Sequence, residues 1–222
     1  MSLFANDRNF LSRYLNLLTS RFTTASIKFE SDFESSDFRN AMMFESSMEA
    51  LNYIFLEDFG KLRLDVICNV AELLEPDVND KGFRRTSIEV KNSNIERSNP
   101  KDIYYHMYAL LDNYYNIWDG LDPYLREAYF HIRFLHIHPF EDGNGRTARV
   151  LSAYNLIYNY GLAPAILQAQ DKTNYNSFIE NSDYESMAKL FKQLSEDEEI
   201  VARQLYEKYE DSPLIYKLSQ NI

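Results

Sequence analysis

Twelve consecutive residues, His138-Pro139-Phe140-Glu141-Asp142-Gly143-Asn144-Gly145-Arg146-Thr147-Ala148-Arg149, place an imidazole, a carboxylate, two glycines and two guanidinium groups within one short stretch. Gly143 and Gly145 open backbone torsions closed to other residues, so successive amide N–H groups can converge on one point. A helix starts in the same place, and its free N–H groups and dipole favour an anion. Arg146 and Arg149 are three apart, which puts both guanidinium groups on one helix face, towards a polyphosphate. Asp142 is a hard oxygen donor beside that nest, suited to hold Mg²⁺ against phosphate oxygens. His138 stands just before the loop, and an imidazole with an ordinary pKa of roughly 6.5 suits a general base. Taken singly, a histidine at a helix end caps or packs, Gly-x-Gly makes a turn, and an arginine pair lies on a solvated face. One geometry uses them all.

The elements that must hold this stretch are helical. Leu11, Tyr14, Leu15, Leu18 and Phe22 share one face, as do Ala41, Phe44, Met48, Leu51 and Phe55. Val66, Ile67, Val70, Leu73 and Leu74 continue the pattern until Pro76 ends it. Ile103, Met107, Leu110, Leu111 and Tyr114 form another stripe, and Leu125, Ala128, Tyr129 and Ile132 the next, directly before His138. Val150, Leu151, Tyr154, Ile157 and Tyr158 predict the helix after the motif, with Gly161 as its cap. Met187, Leu190, Phe191 and Leu194 open a last long segment. Thr86-Ser87-Ile88-Glu89-Val90 breaks the pattern by alternating with period two, and Lys91-Asn92-Ser93-Asn94 then supplies turn residues. A short hairpin is expected there. Residues 31–37 read as a linker.

Composition narrows the function classes. A chain of 222 residues with 6 Gly and 6 Pro favours a mainly helical domain over a turn-rich all-β one. The net charge of −11 argues against nucleic acid as a partner. Cys68 is the sole cysteine, which rules out an internal disulfide or a thiolate metal cluster. The first residues do not read as a signal peptide, and no run nears the roughly 18 apolar residues of a membrane span. A cytoplasmic protein with no membrane partner is the default expectation.

The twelve-residue stretch resembles the Fic-family signature, His-Pro-Phe-x-Asp/Glu-Gly-Asn-Gly-Arg-x-x-Arg, at every fixed position. Gly82-Phe83-Arg84-Arg85-Thr86 followed by Ile88-Glu89-Val90 looks like the family's flap hairpin and its lead-in, and Lys172-Thr173-Asn174-Tyr175 like another family segment. The likeness covers about residues 38–195, leaving 1–37 as an N-terminal helical segment and 196–222 as a C-terminal helical tail. It implies a Fic-type helical bundle with one β-hairpin flap, and a protein adenylyltransferase that moves AMP from ATP to a Ser, Thr or Tyr hydroxyl, its own included.

By matching position, His138 would deprotonate the target hydroxyl and Asp142 would hold Mg²⁺ on the α- and β-phosphates of ATP. Gly143, Asn144 and Gly145 would form the anion nest. Arg146 would hold the β-phosphate and Arg149 the γ-phosphate, with Thr147 and Ala148 between them in the same ATP-binding segment. Phe140 would anchor the loop. Ile88, Glu89, Val90 and Lys91 would lie over the nucleotide, with the protein substrate paired to the flap edge, and Tyr175 would pack near the adenine.

Many Fic proteins also carry an inhibitory helix, Ser/Thr-x-x-x-Glu-Gly/Asn, whose Glu pairs with the second motif arginine. Ser26-Ile27-Lys28-Phe29-Glu30-Ser31 is similar to it, with Ser31 departing from the pattern. Ser26 and Glu30 are the implied inhibitory residues. Alternatives within the family are enzymes that remove AMP and non-catalytic or partner-regulated modules of the toxin–antitoxin type. The target protein and homo-oligomer formation stay open.

Overall fold

The computed structural model describes residues 8–30, 37–56, 59–90 and 93–210. Each apolar stripe lies on a helix. In chain order these are α1 (Arg8–Glu30), α2 (Asp37–Leu56), α3 (Leu64–Leu74), the single turn α4 (Pro76–Asn79), α5 (Ile103–Asp112), α6 (Pro123–Ile137), α7 (Asn144–Tyr160), α8 (Lys172–Glu180) and α9 (Tyr184–Glu210). Residues 31–36, most of the expected linker, lie outside the described residues, and Asp37 opens α2.

The core is built around α7, which is buried almost all round. Helices α2, α3 and α6 pack against it, α9 lies along α6, and α1 packs on α2 and touches α9. Apolar residues on every face suit the central member of a bundle. Gly161 ends α7 in the left-handed conformation, with its N–H on the Ile157 carbonyl and that of Leu162 on Leu156, a Schellman-type cap. A polar clasp fixes α1 to α9: the Tyr14 hydroxyl and Arg21 Nη1 both donate to Oε1 of the buried Glu198, at 3.0 and 2.6 Å. Among the described residues no helix is long and apolar enough to cross a membrane.

The hairpin expected around residues 86–95 is not formed as paired strands, and no strand occurs among the described residues. Alternation shows that the segment is extended without saying what it pairs with. Here its polar groups go elsewhere. Arg84 takes the carbonyls of Thr86 and Ser98, and Glu180 takes the Ser93 hydroxyl and the Asn94 N–H. The Ser93 N–H to the Val90 carbonyl, at 3.1 Å, closes a turn and starts no ladder.

Candidate active site

His138 owes its placement to Pro139. A residue before proline is pushed out of the right-handed helical region, and His138 adopts φ 53°, ψ 64°, ending α6. Proline also lacks the N–H that would have bonded the carbonyl four residues back. That carbonyl belongs to Leu135, and the Nδ1 of His138 lies 3.4 Å from it. A carbonyl only accepts, so Nδ1 carries the proton and Nε2 keeps its lone pair. Burial, then the charge of Arg97, lowers the His138 pKa to about 4, so the imidazole is neutral at physiological pH.

A left-handed residue at a helix end costs on the order of 1 kcal/mol. Arg84 holds it there. Its Nε donates to the His138 carbonyl at 2.7 Å, its Nη2 to that of Ile137 at 3.4 Å, and its backbone N–H to that of Pro139 at 2.9 Å. Arg84 is 3 % exposed, a buried cation on the last carbonyls of α6, where the helix dipole favours positive charge.

The loop is stapled from inside. The Asn144 side chain accepts from the Phe140 N–H at 3.0 Å and donates to its carbonyl at 2.9 Å. Phe140 is fully buried against Phe83 and Phe134. Thr147 returns its hydroxyl to the Gly143 carbonyl, and Ala148 is core. The side chains of Asn144, Thr147 and Ala148 therefore shape the loop. Gly143, at φ 72°, takes a backbone conformation that a side chain would strain.

The two arginines diverge. Arg146 pairs with Glu75 and reaches the Leu74 carbonyl. Arg149 runs to α1, where Ser26 Oγ accepts from its Nε and Nη2 at 3.2 and 2.9 Å and Glu30 Oε1 accepts from Nη2 at 2.5 Å. The Phe29 ring lies 4.9 Å from the same guanidinium. Burial pushes the Glu30 carboxyl up, but Arg149, by charge and hydrogen bond, and then Arg146 and Lys172, hold it below its ordinary value. The carboxylate also lies against the start of α7: a Cβ on Gly145 would come within 3.3 Å of Glu30 Oε1. Asp142 is exposed, with Oδ1 accepting from the Gly143 N–H at 2.6 Å. Among the described residues no three His, Cys, Asp or Glu side chains converge as a metal cage. One carboxylate beside a phosphate site suits Mg²⁺, which completes its shell with phosphate oxygens and water.

A cavity of about 340 Å³ brings together His138, Gly145, Arg149, Glu30, Phe29, Lys172, Tyr175 and Val90. Ile88 and Glu89 line a neighbouring hollow along the flap, and Lys91 lies outside the described residues. Tyr175 meets Phe29 edge to face and turns its hydroxyl inward to His131 Nε2, at 2.7 Å. Arg84, Arg97, Glu75 and Phe29 are given no role by sequence reasoning. Arg84 and Phe29 fall inside segments quoted for their family likeness, but most of the contacts of these four residues cross long sequence separations that no local pattern marks.

Comparison with known proteins agrees with the motif. Residues 61–156 match the Fic/DOC family. The protein adenylyltransferase Fic of Drosophila persimilis is 42 % identical over 60 residues, 27 % of this chain and 12 % of that protein. Its counterpart in Drosophila grimshawi is 34 % identical over 103 residues, 44 % of this chain and 20 % of that protein. The matched stretch thus spans a fifth or less of either relative's length. Among solved structures, a Fic-domain signaling protein from Bacteroides thetaiotaomicron superposes with TM-score 0.62 at 22 % identity, over 79 % of this chain and 76 % of that one. Fic-1 from C. elegans gives 0.66 at 17 %, over 90 % and 66 %. IbpAFic2 covalently tethered to Cdc42 gives 0.52 at 18 %, over 81 % and 63 %. At these identities the likeness speaks for the fold. The intact signature, the family model over residues 61–156 and the fold agree in likening this part of the chain to the Fic/DOC family.

Proposed function

We propose that the chain is a protein adenylyltransferase that transfers AMP from ATP to a hydroxyl of a protein. The observation that carries this reading is that His138, whose Nδ1 faces the Leu135 carbonyl, Gly145 at the start of α7 and Arg149 line one cavity. The α7 N-terminus and Arg149 bind the phosphate chain, and Mg²⁺ held by Asp142 would neutralise charge on it. His138 Nε2 accepts the proton of the target hydroxyl, whose oxygen attacks the α-phosphorus. The bond to the β-phosphate oxygen breaks, pyrophosphate leaves, and AMP stays esterified to the target. Such a transfer asks the protein for positioning and charge stabilisation, and no covalent enzyme intermediate is required.

Arg146 reaches the β-phosphate only after leaving Glu75, and Arg149 the γ-phosphate only after leaving Glu30. The described conformation is therefore read as a resting state in which Glu30 stands where the phosphate tail would bind. The target lies along the flap as an added strand, since the arms there are not paired with each other. That a structural neighbour is tethered to the protein Cdc42 supports a protein as the target class.

The test is incubation of the wild type, Glu30→Gly and His138→Ala with Mg²⁺ and ATP labelled at the α-phosphate. Label should appear on protein with Glu30→Gly and be lost when His138→Ala is added. No label with any variant, or label that survives loss of His138, overturns the reading.

A further inference from the structure

Arg97 joins two parts of the site that sequence separates. Its Nη1 donates to the Leu135 carbonyl at 3.0 Å, the carbonyl that Pro139 leaves without a backbone donor and that His138 Nδ1 also faces. Its Nη2 donates to Ser93 Oγ at 2.6 Å. Ser93 sits at the flap turn, and its hydroxyl passes a hydrogen bond on to Glu180, whose other oxygen accepts from the Asn94 N–H at 3.1 Å. The Ile95 N–H closes the cluster on Ser93 Oγ at 3.3 Å. Arg97 also lines both the central cavity and the flap hollow.

We infer that Arg97 is a positioning residue that couples the flap to the base, fixing the Nδ1–H form of His138 and the flap turn through one guanidinium. A planar fork serves two carbonyl or hydroxyl acceptors from separate nitrogens held in a rigid frame, whereas the donors of an ammonium rotate about a single nitrogen. With its Leu135 bond made, Arg97 occupies one lone pair of that carbonyl and leaves the other to His138, which bonds it only with Nδ1 protonated. With its Ser93 bond made, it holds the turn that a docked target strand must meet. The placement of a target hydroxyl and the direction of the lone pair that deprotonates it are then set by the same side chain. The positive charge beside the imidazole also disfavours its protonated form. This inference rests on the adenylyltransferase reading for its meaning, but its test uses neither ATP nor a target.

The chain has four histidines, so ¹⁵N-histidine labelling gives a spectrum in which His138→Ala identifies His138. In the wild type, free of nucleotide and metal, His138 should show a protonated Nδ1 and a bare Nε2. Arg97→Gln should mix the two tautomers, and the amides of Asn94 and Ile95 should exchange about tenfold faster or more, as expected for loss of a charge-assisted hydrogen bond. Ser93→Ala should speed that exchange and leave the His138 tautomer alone. If Arg97→Gln does not fold, Arg97→Met serves in its place, since it keeps an apolar stem and removes every donor, and both signals should move. A folded Arg97→Gln or Arg97→Met with either signal unchanged overturns the coupling. Failure of labelled-AMP transfer would count against the enzymatic reading and leave these spectra unaffected.

Discussion

The carboxylate of Glu30 lies 2.5 Å from the guanidinium of Arg149 across 119 residues of sequence, with Ser26 Oγ on the same side chain. A charge-assisted pair in a half-buried cleft competes strongly with a phosphate for one cation. Glu30→Gly should therefore raise the initial rate of automodification at saturating ATP, by about 100-fold if the brake works by displacing the phosphate tail about 1 Å. The amount of folded protein should not rise. Arg149→Ala should gain nothing, because it loses a phosphate contact along with the brake. Equal rates for the wild type and Glu30→Gly would mean that α1 packs without regulating.

His138 gives a pH signature. Its pKa, lowered to about 4 first by burial and then by Arg97, lies below that of a free histidine, 6.5. The base form is then already complete where a free histidine would be half protonated. In the Glu30→Gly background, kcat/KM should hold level as pH falls through about 6 and drop only towards pH 4. An acid limb with its midpoint near 6.5 refutes the assignment. His138→Ala should lose about 10²–10⁴ in rate while retaining ATP binding.

Arg84 gathers four backbone carbonyls on one buried side chain. Its side chain reaches the carbonyls of His138, Thr86, Ser98 and Ile137. Each buried acceptor left unpaired costs about 1–3 kcal/mol, so Arg84→Ala should destabilise by about 3 kcal/mol or more. Arg84→Lys should recover little of this, since one ammonium cannot replace the fork. The midpoint of urea unfolding measures both. A loss under about 1 kcal/mol would show that water or another donor takes over.

Glu127 is fully buried, with Tyr114 donating to it at 3.0 Å and Asn155 at 3.4 Å. Burial raises its pKa from 4.5 to about 8, against the pull of its hydrogen bonds and of Arg126. Because the folded value is the higher one, this contribution to stability is complete below pH 4.5 and is lost as pH rises through 8. Glu127→Gln removes the titration. Its stability relative to the wild type should improve steadily across that interval, and denaturant midpoints taken at its two ends check the sign. A difference that does not change with pH would mean that Glu127 is ionised throughout.

Much of this is legible without coordinates because it is local. The stripes of α3, α6 and α7 follow from three- and four-residue spacing, Gly161 from its place after the last apolar position, and the glycine-flanked start of α7 from contiguous residues. The approach of Ser26 and Glu30 to Arg149 is legible only through family likeness, since no periodicity links positions so far apart. Arg84 and Arg97 escape because they bond backbone carbonyls, and any residue supplies a carbonyl. The flap shows the opposite failure: Ile88 and Val90 alternate as a strand would, but a strand needs a partner, and the neighbouring arm is engaged by Glu180 and Arg84.

Order along the chain adds one consequence. Synthesis proceeds from the amino end, so Ser26 and Glu30 exist 119 to 123 residues before the arginine they meet. Tyr14 and Arg21 are likewise made long before Glu198, which clasps them in α9. A growing polypeptide completes the α7 start and Arg149 only when the carboxylate that fills them has already emerged. The clasp to α9 follows about fifty residues later, an interval set by the spacing of Arg149 and Glu198 along the chain. A newborn molecule thus holds Glu30 before it holds the arginine that Glu30 pairs with, and clasps α1 to α9 last.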